Sequence, residues 1–561
     1  MSIESSDPLP SRIASLVHAH FDALPTRSKP SVFPDGSREW IPMTGIVAVK
    51  GIFSISSKRA TSEDAFCFCT NIDVFDLIGE NTPSESLTCI AVTSGAKCLS
   101  ASHIPRCKGL VLHDCHAEIL AIRAFNYWLL TECHGMLSQE KQVDRDAPGS
   151  NNRELPCAPF VKRRKIGECG DDGSKPHTEW PPFELQSDIN IYMYCTCAPC
   201  GDGSMELCMA AQEDATPWEV PQQKSPSTTN QGDETQVAEM MLDGRAHFSL
   251  LGIVRRKPSR TDAESTRSKS CSDKLALRQV SSLLSSETSR LVAPTKNAYL
   301  AGLILPKDEI SKVACDRSFG ENGRMQALAG RSWPETDTEE MKPGYRFRPF
   351  RILSIPSEEV ASRWRFAKPK VVSCPAGASE KNGGRSPSAA NPKKSKPGNA
   401  SAVWTLAPSY GDSSTMFMET GSKSLPALCR SKTGLYETII NGVKQGNRAS
   451  APSPRGASAL SRAKLWALYR NIVSASASAR NCDGPEIVQA EAERLHIDTV
   501  RHVSDIDTYQ EFKNPGGLED PLRIRMQAIS DARIVLKGWI PNAGDESWRL
   551  DVLVDPKKRK R

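Results

Sequence analysis

The sequence predicts one α/β layered domain interrupted by surface insertions. Dense segments rich in β-branched and aromatic residues alternate with segments of helical apolar spacing, and four stretches between them are too polar to join a core. With 561 residues, 39% hydrophobic and 25% charged, the chain has the balance of a globular protein with a sizeable interior. No internal repeat is visible.

Taken in order, "EWIPMTGIVAVKGIFSI", "LTCIAVTSGAKCLS", "DINIYMYCTCAPCGDGSMELCMAA" and "NAYLAGLILP" contain the expected strands. Helices are expected after His113 and after Cys200, and again in "ALSRAKLWALYRNIV". In the first of these, Ile119, Ile122, Phe125, Trp128 and Leu129 recur at three- and four-residue intervals and form one face. Asp114 is the expected N-cap, which places His116 and Glu118 on the first turn. The expected insertions are Leu137 to Pro182, Gln212 to Gln236, Cys374 to Ser401 and Gly446 to Ala457. Each is rich in Pro, Gly, Ser and charge, with little apolar mass to offset the entropy of ordering. The whole chain, 1–561, is otherwise read as a single domain with a basic tail at 555–561.

A net charge of +6 is small for this length, so contact with nucleic acid would come from a local patch. The N-terminus lacks the basic start and apolar run of a secretory leader, and no stretch is apolar enough to span a bilayer. An intracellular, soluble protein without a membrane partner is therefore expected. In a reducing compartment the 18 cysteines read as buried thiols or metal ligands. The tail "DPKKRKR" and Val161 to Lys165, "VKRRK", are two candidate nuclear import signals, so the expected location is nuclear, cytoplasmic or both.

His116 and Glu118 form an H-x-E at a helix start, a weak motif alone. Cys200 follows a proline after the strand "INIYMY", where a helix terminus favours a thiolate. Zinc deaminases of bases pair H-x-E with P-C-x-x-C, the glutamate lying outside the metal's ligands. Here Gly203 stands where the second cysteine belongs. Two residues could complete the set: Cys197, favoured by its C-x-x-C spacing with Cys200, and the distant Cys271 in "SKSCSDKLAL". Cys115, Cys195, Cys197 and Cys208 otherwise read as core thiols.

The ordered blocks "HAE", "PCGD" and "SCSDK" resemble the adenosine-to-inosine RNA-editing deaminases, the family of tRNA-specific adenosine deaminase and the double-stranded-RNA editases. The resemblance implies a cytidine-deaminase-like α/β/α layered sandwich with extra C-terminal elements. It selects Cys271 over Cys197, so that His116, Cys200 and Cys271 hold one zinc and Glu118 shuttles protons while adenosine becomes inosine and ammonia. Family members also bury inositol hexakisphosphate. Arg123, Lys274, Tyr509, Lys513 and Trp539 match that cage, and Lys464 could join from an adjacent register. Ile122, Leu277 with Arg278 beside it, and "IPNAGD" after Trp539 depart from the pattern. His113 stands where duplex editors have asparagine.

Double-stranded-RNA-binding modules, usual ahead of duplex-editing domains, have no room before "SREWIPMTGIVAVKGIF". Pro258 to Ser270 is short and polar, without a wedge to replace a flipped base. Both features favour an unpaired target in a tRNA anticodon loop. The substrate that the tRNA branch implies is the adenosine 3′ of the anticodon, position 37, in alanine tRNA. Lys97 matches a position near the target nucleotide, and Arg255, Arg256 and Lys257 form a basic run that could meet phosphates. The alternatives are a double-stranded-RNA editase, a deaminase of free nucleosides or cytidine, and a non-catalytic RNA-binding subunit. Gly203 argues against the free-nucleoside reading and Glu118 against the non-catalytic one. The number of subunits is open, a monomer included.

Overall fold

The computed structural model describes residues 8–34, 37–51, 85–146, 159–164, 181–211, 242–244, 250–257, 264–334, 344–369, 395–409, 434–477, 506–514 and 521–555. A helix not anticipated from sequence, Leu9–Asp22 (α1), opens this part of the chain. The strands that matter here are Met43–Lys50 (β1), Ser86–Ser94 (β2), Ala96–Cys98 (β3), Asp114–His116 (β4), Ile189–Cys195 (β5), Leu300–Pro306 (β6), Arg351–Ile355 (β7), Ala400–Thr405 (β8), Tyr436–Ile440 (β9) and Val443–Lys444 (β10). The helices are Ala117–Asp146 (α2), Met205–Ala210 (α3), Cys271–Ser281 (α4), Lys312–Phe319 (α5), Arg462–Ala477 (α6), Tyr509–Lys513 (α7) and Pro521–Val535 (α8).

Eight strands form one mixed sheet in the order β7, β6, β5, β1, β2, β8, β9, β10. The pairs β5–β6 and β6–β7 are parallel and the remaining neighbours antiparallel. Period-two alternation sends each central strand's residues to two cores. From β1, Ile46 and Ala48 enter the core beneath α2, while Met43, Val47 and Val49 enter the core beneath α1. From β5, Ile191, Met193 and Cys195 go with the first set and Tyr192 and Tyr194 with the second. The result is helix, sheet, helix, the expected α/β layering. A further core joins α4 to α8 through Ala276, Val280, Ala528 and Ala532, and adds the expected C-terminal elements.

Several expected boundaries move. Gly446 to Ala457, expected as an insertion, is a hydrogen-bonded loop: Lys444 N–H donates to Gly456 O at 2.8 Å and Ala457 N–H to Ser453 O at 3.0 Å. Backbone pairing supplies the order that apolar burial does not. Of Leu137 to Pro182, residues to Asp146 continue α2, and Val161–Arg163 pairs as a strand with Phe183–Leu185. That pairing engages the "VKRRK" stretch: Lys162 lies 3.0 Å from Glu184, and the Arg163 guanidinium sits over Phe183. Lys165, the last residue of that stretch, lies outside the described residues. Residues 400–401 of the third stretch begin β8. Gln212 to Gln236 and the tail at 556–561 lie outside the described residues. Among the described residues, no helix is long and apolar enough to cross a membrane.

Helix α2 is anchored to the segment after β8 by Glu132, whose carboxylate accepts from the Ser409 backbone N–H at 2.7 Å and its hydroxyl at 3.1 Å. Burial raises that carboxyl to about 7. The folded state therefore holds the proton more tightly than the unfolded chain, and this contribution to stability is lost as pH rises from about 4.5 through about 7. Glu132→Gln should leave stability at pH 4.5 nearly unchanged and raise it at pH 8 by up to about 3 kcal/mol, read by chemical denaturation at both pH values. A difference from wild type that does not vary with pH would refute the buried-carboxyl reading.

Candidate metal and catalytic centre

Asp114 and His116 lie on β4, and α2 begins at Ala117, so Asp114 is not the helix cap and His116 is not on the helix. Antiparallel pairing with β3 sets Ala96 opposite His116, and Ala117 N–H donates to Gly95 O at 3.0 Å. His116 thus leaves a rigid strand end, while Glu118 starts the helix, 4% exposed.

The two cysteine segments are fastened to each other. Ser270 caps α4 by accepting from Asp273 N–H at 3.1 Å, which puts Cys271 at the first helical position. Ser272 N–H donates to Cys200 O at 3.0 Å, and the Ser272 hydroxyl donates to Pro199 O at 3.1 Å. Gly201 has φ +105, and a Cβ there would stand 2.2 Å from Ser270 Oγ, so only glycine permits this approach. Gly203 is equally confined: a Cβ would meet Phe319 and Ser272 Oγ at 2.9 Å. A cysteine at 203 has no room, and Cys271 supplies the thiol from the neighbouring helix.

His116 Nδ1 lies 3.6 Å from Cys271 Sγ and 3.8 Å from Cys200 Sγ. The three donors fall within 4.8 Å of one another, a set able to hold a metal ion. Two ligands on one tetrahedral zinc stand about 3.6 Å apart, so the spacing fits. Cys197, the alternative by spacing, is not in this cluster.

Charge at the site is organised around Asp114. Its carboxylate accepts from Lys257 Nζ at 2.9 and 3.2 Å, from Ser268 Oγ at 2.6 Å, from His116 N–H at 3.0 Å, and from Lys274 Nζ. Burial opposes that charge, but Lys257 and Lys274 hold the carboxyl well below its usual range. Lys257 Nζ also donates to Cys271 Sγ at 3.2 Å. Cys200 is held well below the ordinary thiol range by the hydrogen bond from Cys271 and by Lys257 and His116. Burial and Lys257 oppose a charge on His116, yet the Cys200 thiolate lifts the imidazole to about 10. Glu118 is raised, first by burial. A carboxyl that can carry a proton beside the donors suits general acid and base work.

These positions correct the basic-run expectation. Lys257 and Arg255 are buried, at 4% and 1% exposure, so they serve the interior and not an RNA backbone. Asp114 and Lys257 were not singled out as site residues. The i, i+2 placement of Asp114 before His116 was the available clue, but an N-cap fits the same residue equally well.

The residues expected around a polyanion separate into groups. Arg123, Tyr509 and Lys513 come together near Glu287. Tyr509 Oη donates to Glu287 Oε1 at 3.1 Å, Lys513 Nζ to Ser286 Oγ at 2.5 Å, and the Arg123 guanidinium to Leu460 O at 2.7 Å. Arg278, Arg462, Arg525 and Arg533, not assigned from sequence, join them. Burial, Arg525 and Arg123 push Arg278 down to about 9, and burial with Arg525 pushes Lys513 down to about 7. Trp539 lies beside Lys269 and Arg533, with centroid distances of 5.7 and 5.6 Å. Lys274 bonds to Asp114 and Ser268 nearer the metal donors. Lys464 is buried, and its charge is among those that lower Glu437. Lys97, on β3 opposite Cys115, lines a separate cleft.

Cys271→Ala should lose most of the bound metal, whereas Cys197→Ala should retain it, measured by elemental analysis of purified protein. Equal loss in both would reassign the third ligand.

The adenosine-deaminase (editase) domain matches residues 91–152 and 174–413, more than half of the chain. The chain is 33% identical over 352 residues to the tRNA-specific adenosine deaminase 1 of Schizosaccharomyces pombe, covering 63% of this chain and 69% of that protein. It is 26% identical over 326 residues to the Saccharomyces cerevisiae protein of the same name, covering 57% and 64%. Similarity to the double-stranded RNA-specific editase B2 of Rattus norvegicus is 30% over 116 residues, 12% of that protein. His116, Glu118, Cys200 and Cys271 all fall inside the matched ranges, and with the donor geometry above they place the chain in the adenosine-deaminase (editase) family.

Proposed function

We propose that the protein deaminates adenosine to inosine in tRNA, and that its target is the adenosine 3′ of the anticodon, position 37, of alanine tRNA. The observation that carries the reading is the convergence of His116, Cys200 and Cys271 beside the buried Glu118. The extent of similarity favours tRNA over duplex RNA, since the chain covers 69% of the fission-yeast tRNA deaminase and 12% of the duplex editase. An anticodon loop offers an unpaired base that needs little extrusion energy.

His116, Cys200 and Cys271 fit zinc by donor type and spacing, and zinc would supply Lewis-acid activation of water at neutral pH. In the reaction Glu118 accepts the proton of the attacking water and delivers one to N1 of adenine as oxygen adds to C6. It then takes the proton of the new C6 hydroxyl and passes it to the departing amine, leaving inosine with its C6 carbonyl and ammonia. Asp114, with Lys257 and Lys274, fixes the strand end that carries His116 and places positive charge beside both sulfurs.

The buried cations support inositol hexakisphosphate as a structural cofactor. Arg123, Arg278, Arg525 and Lys513 are all lowered by burial, and Glu287 is the carboxylate that recurs beside them among the described residues. The buried Nε atoms of Arg525 and Arg533 have no hydrogen-bond partner. A dense polyanion satisfies both features. The basic tail at 555–561 is read as a candidate nuclear import signal of a protein that is nuclear, cytoplasmic or both.

Incubation with total tRNA, followed by sequencing, should show adenosine read as guanosine next to the anticodon. Glu118→Gln should keep the fold and metal yet abolish that change. Absence of any such change with metal-loaded wild type would refute the reading, and substantial turnover by the variant would give the proton shuttle to another group.

Denatured protein should release inositol hexakisphosphate in about equimolar amount, read by mass spectrometry. Arg525→Glu should reduce both the released phosphate and the soluble yield. A soluble wild type that releases none would remove the cofactor from this account.

A further inference from the structure

We propose that Thr93 is a positioning residue for the proton shuttle: its hydroxyl holds the peptide that carries Glu118, while the metal donor His116 is held separately. This rests on the proposed deamination and deepens it.

The sheet beneath α2 turns polar at the end next to Glu118. On β5, β1 and β2 the residues Met193, Ile46 and Ala91 stand side by side in the register, and all three enter the apolar core under α2. Two residues further along each strand, on the same face, the row becomes Cys195, Thr44 and Thr93. Both threonines are buried. A buried hydroxyl needs a partner, and each of these has one: Thr44 Oγ1 donates to Cys195 Sγ at 3.3 Å, and Thr93 Oγ1 donates to Ala117 O at 2.7 Å. Thr44 O also stands 3.4 Å from the Thr93 hydroxyl, which has one proton and gives it to the nearer oxygen.

Ala117 lies between the metal donor and the shuttle, and the peptides on its two sides have different anchors. Its N–H belongs to the peptide shared with His116 and donates to Gly95 O at 3.0 Å. Its C=O belongs to the peptide shared with Glu118 and accepts from Thr93. The His116 side has further supports: the β3–β4 pairing, and Asp114, which accepts from His116 N–H at 3.0 Å. Gly95 is itself tied, its N–H donating to Pro42 O at 3.1 Å. The Thr93 bond acts on the Glu118 side. Loss of that hydroxyl therefore lets the first turn of α2 shift while the metal donors keep their places, and proton transfer is steeply sensitive to such a shift.

The test measures metal content, kcat and KM on an anticodon stem-loop RNA for wild type, Thr93→Val, Thr93→Ser and Thr93→Ala, with rates expressed per metal-loaded chain. Thr93→Val keeps the shape and loses the hydroxyl, so kcat should fall about tenfold or more, with KM and metal content near wild type. Thr93→Ser loses the methyl, keeps the hydroxyl, and should recover most of kcat. A purely structural role gives another pattern: both variants lose soluble yield, and the rate per loaded chain stays the same. Should Thr93→Val not fold, Thr93→Ala against Thr93→Ser makes the comparison, because the two differ only in the hydroxyl. Equal kcat within the pair compared would overturn the positioning role and leave the deaminase reading standing. Loss of metal in Thr93→Val would overturn the separation of the two anchors. No turnover by metal-loaded wild type would overturn the deaminase reading and the positioning role together.

Discussion

Asp114 is buried, ionised and in contact with two lysines, and the chemistry of the centre depends on that arrangement. A carboxylate out of water is tolerated only with cations and hydrogen bonds to satisfy its oxygens, and here Lys257, Lys274, Ser268 and a backbone N–H do so. The same lysine that neutralises Asp114 donates to Cys271, so one cation links the carboxylate to the metal donors. Lys257 thereby favours thiolate character in the sulfurs a metal ion requires.

This charge arrangement is extended by the cation-rich interior behind it. Arg123 comes from α2, Arg278 from α4, Lys513 from α7, and Arg525 and Arg533 from α8, so four helices meet on like charges. Mutual repulsion adds to burial in lowering Arg278, Lys513 and Arg533. Stacked aromatic rings close one side of the region: Tyr509 lies parallel to Trp548 at 4.6 Å, and Trp466 packs against both. Lys274 sits on α4 between the metal donors and this interior, so the two regions share one helix.

His113, which departs from the asparagine of duplex editors, pairs with Asp545 at 2.9 Å, and Asp545 also accepts from Gly109 N–H at 2.8 Å. The pair joins the chain just ahead of β4 to the segment after Trp539.

The layered α/β class, strands β1, β2, β5 and β6 of the central sheet, helices α2 and α6, and the His116, Glu118, Cys200 and Cys271 set were legible in the residues and in the resemblance they carry; strands β7 to β10 were not. Apolar periodicity is a local property, and the motifs survive as short contiguous blocks. The loop at Gly446 to Ala457 was not legible, because turns closed by backbone hydrogen bonds need no apolar mass. Asp114 read as a helix cap, since a short acid before a helix has that role more often than a buried ion pair. Arg255 and Lys257 read as a surface run, and only the fold shows both buried, with Lys257 paired to Asp114 from a segment 143 residues away. The sequence by itself therefore determined which elements form and which side chains carry the chemistry. The tertiary structure decided which charges are buried together, because desolvation and pairing depend on segments more than a hundred residues apart.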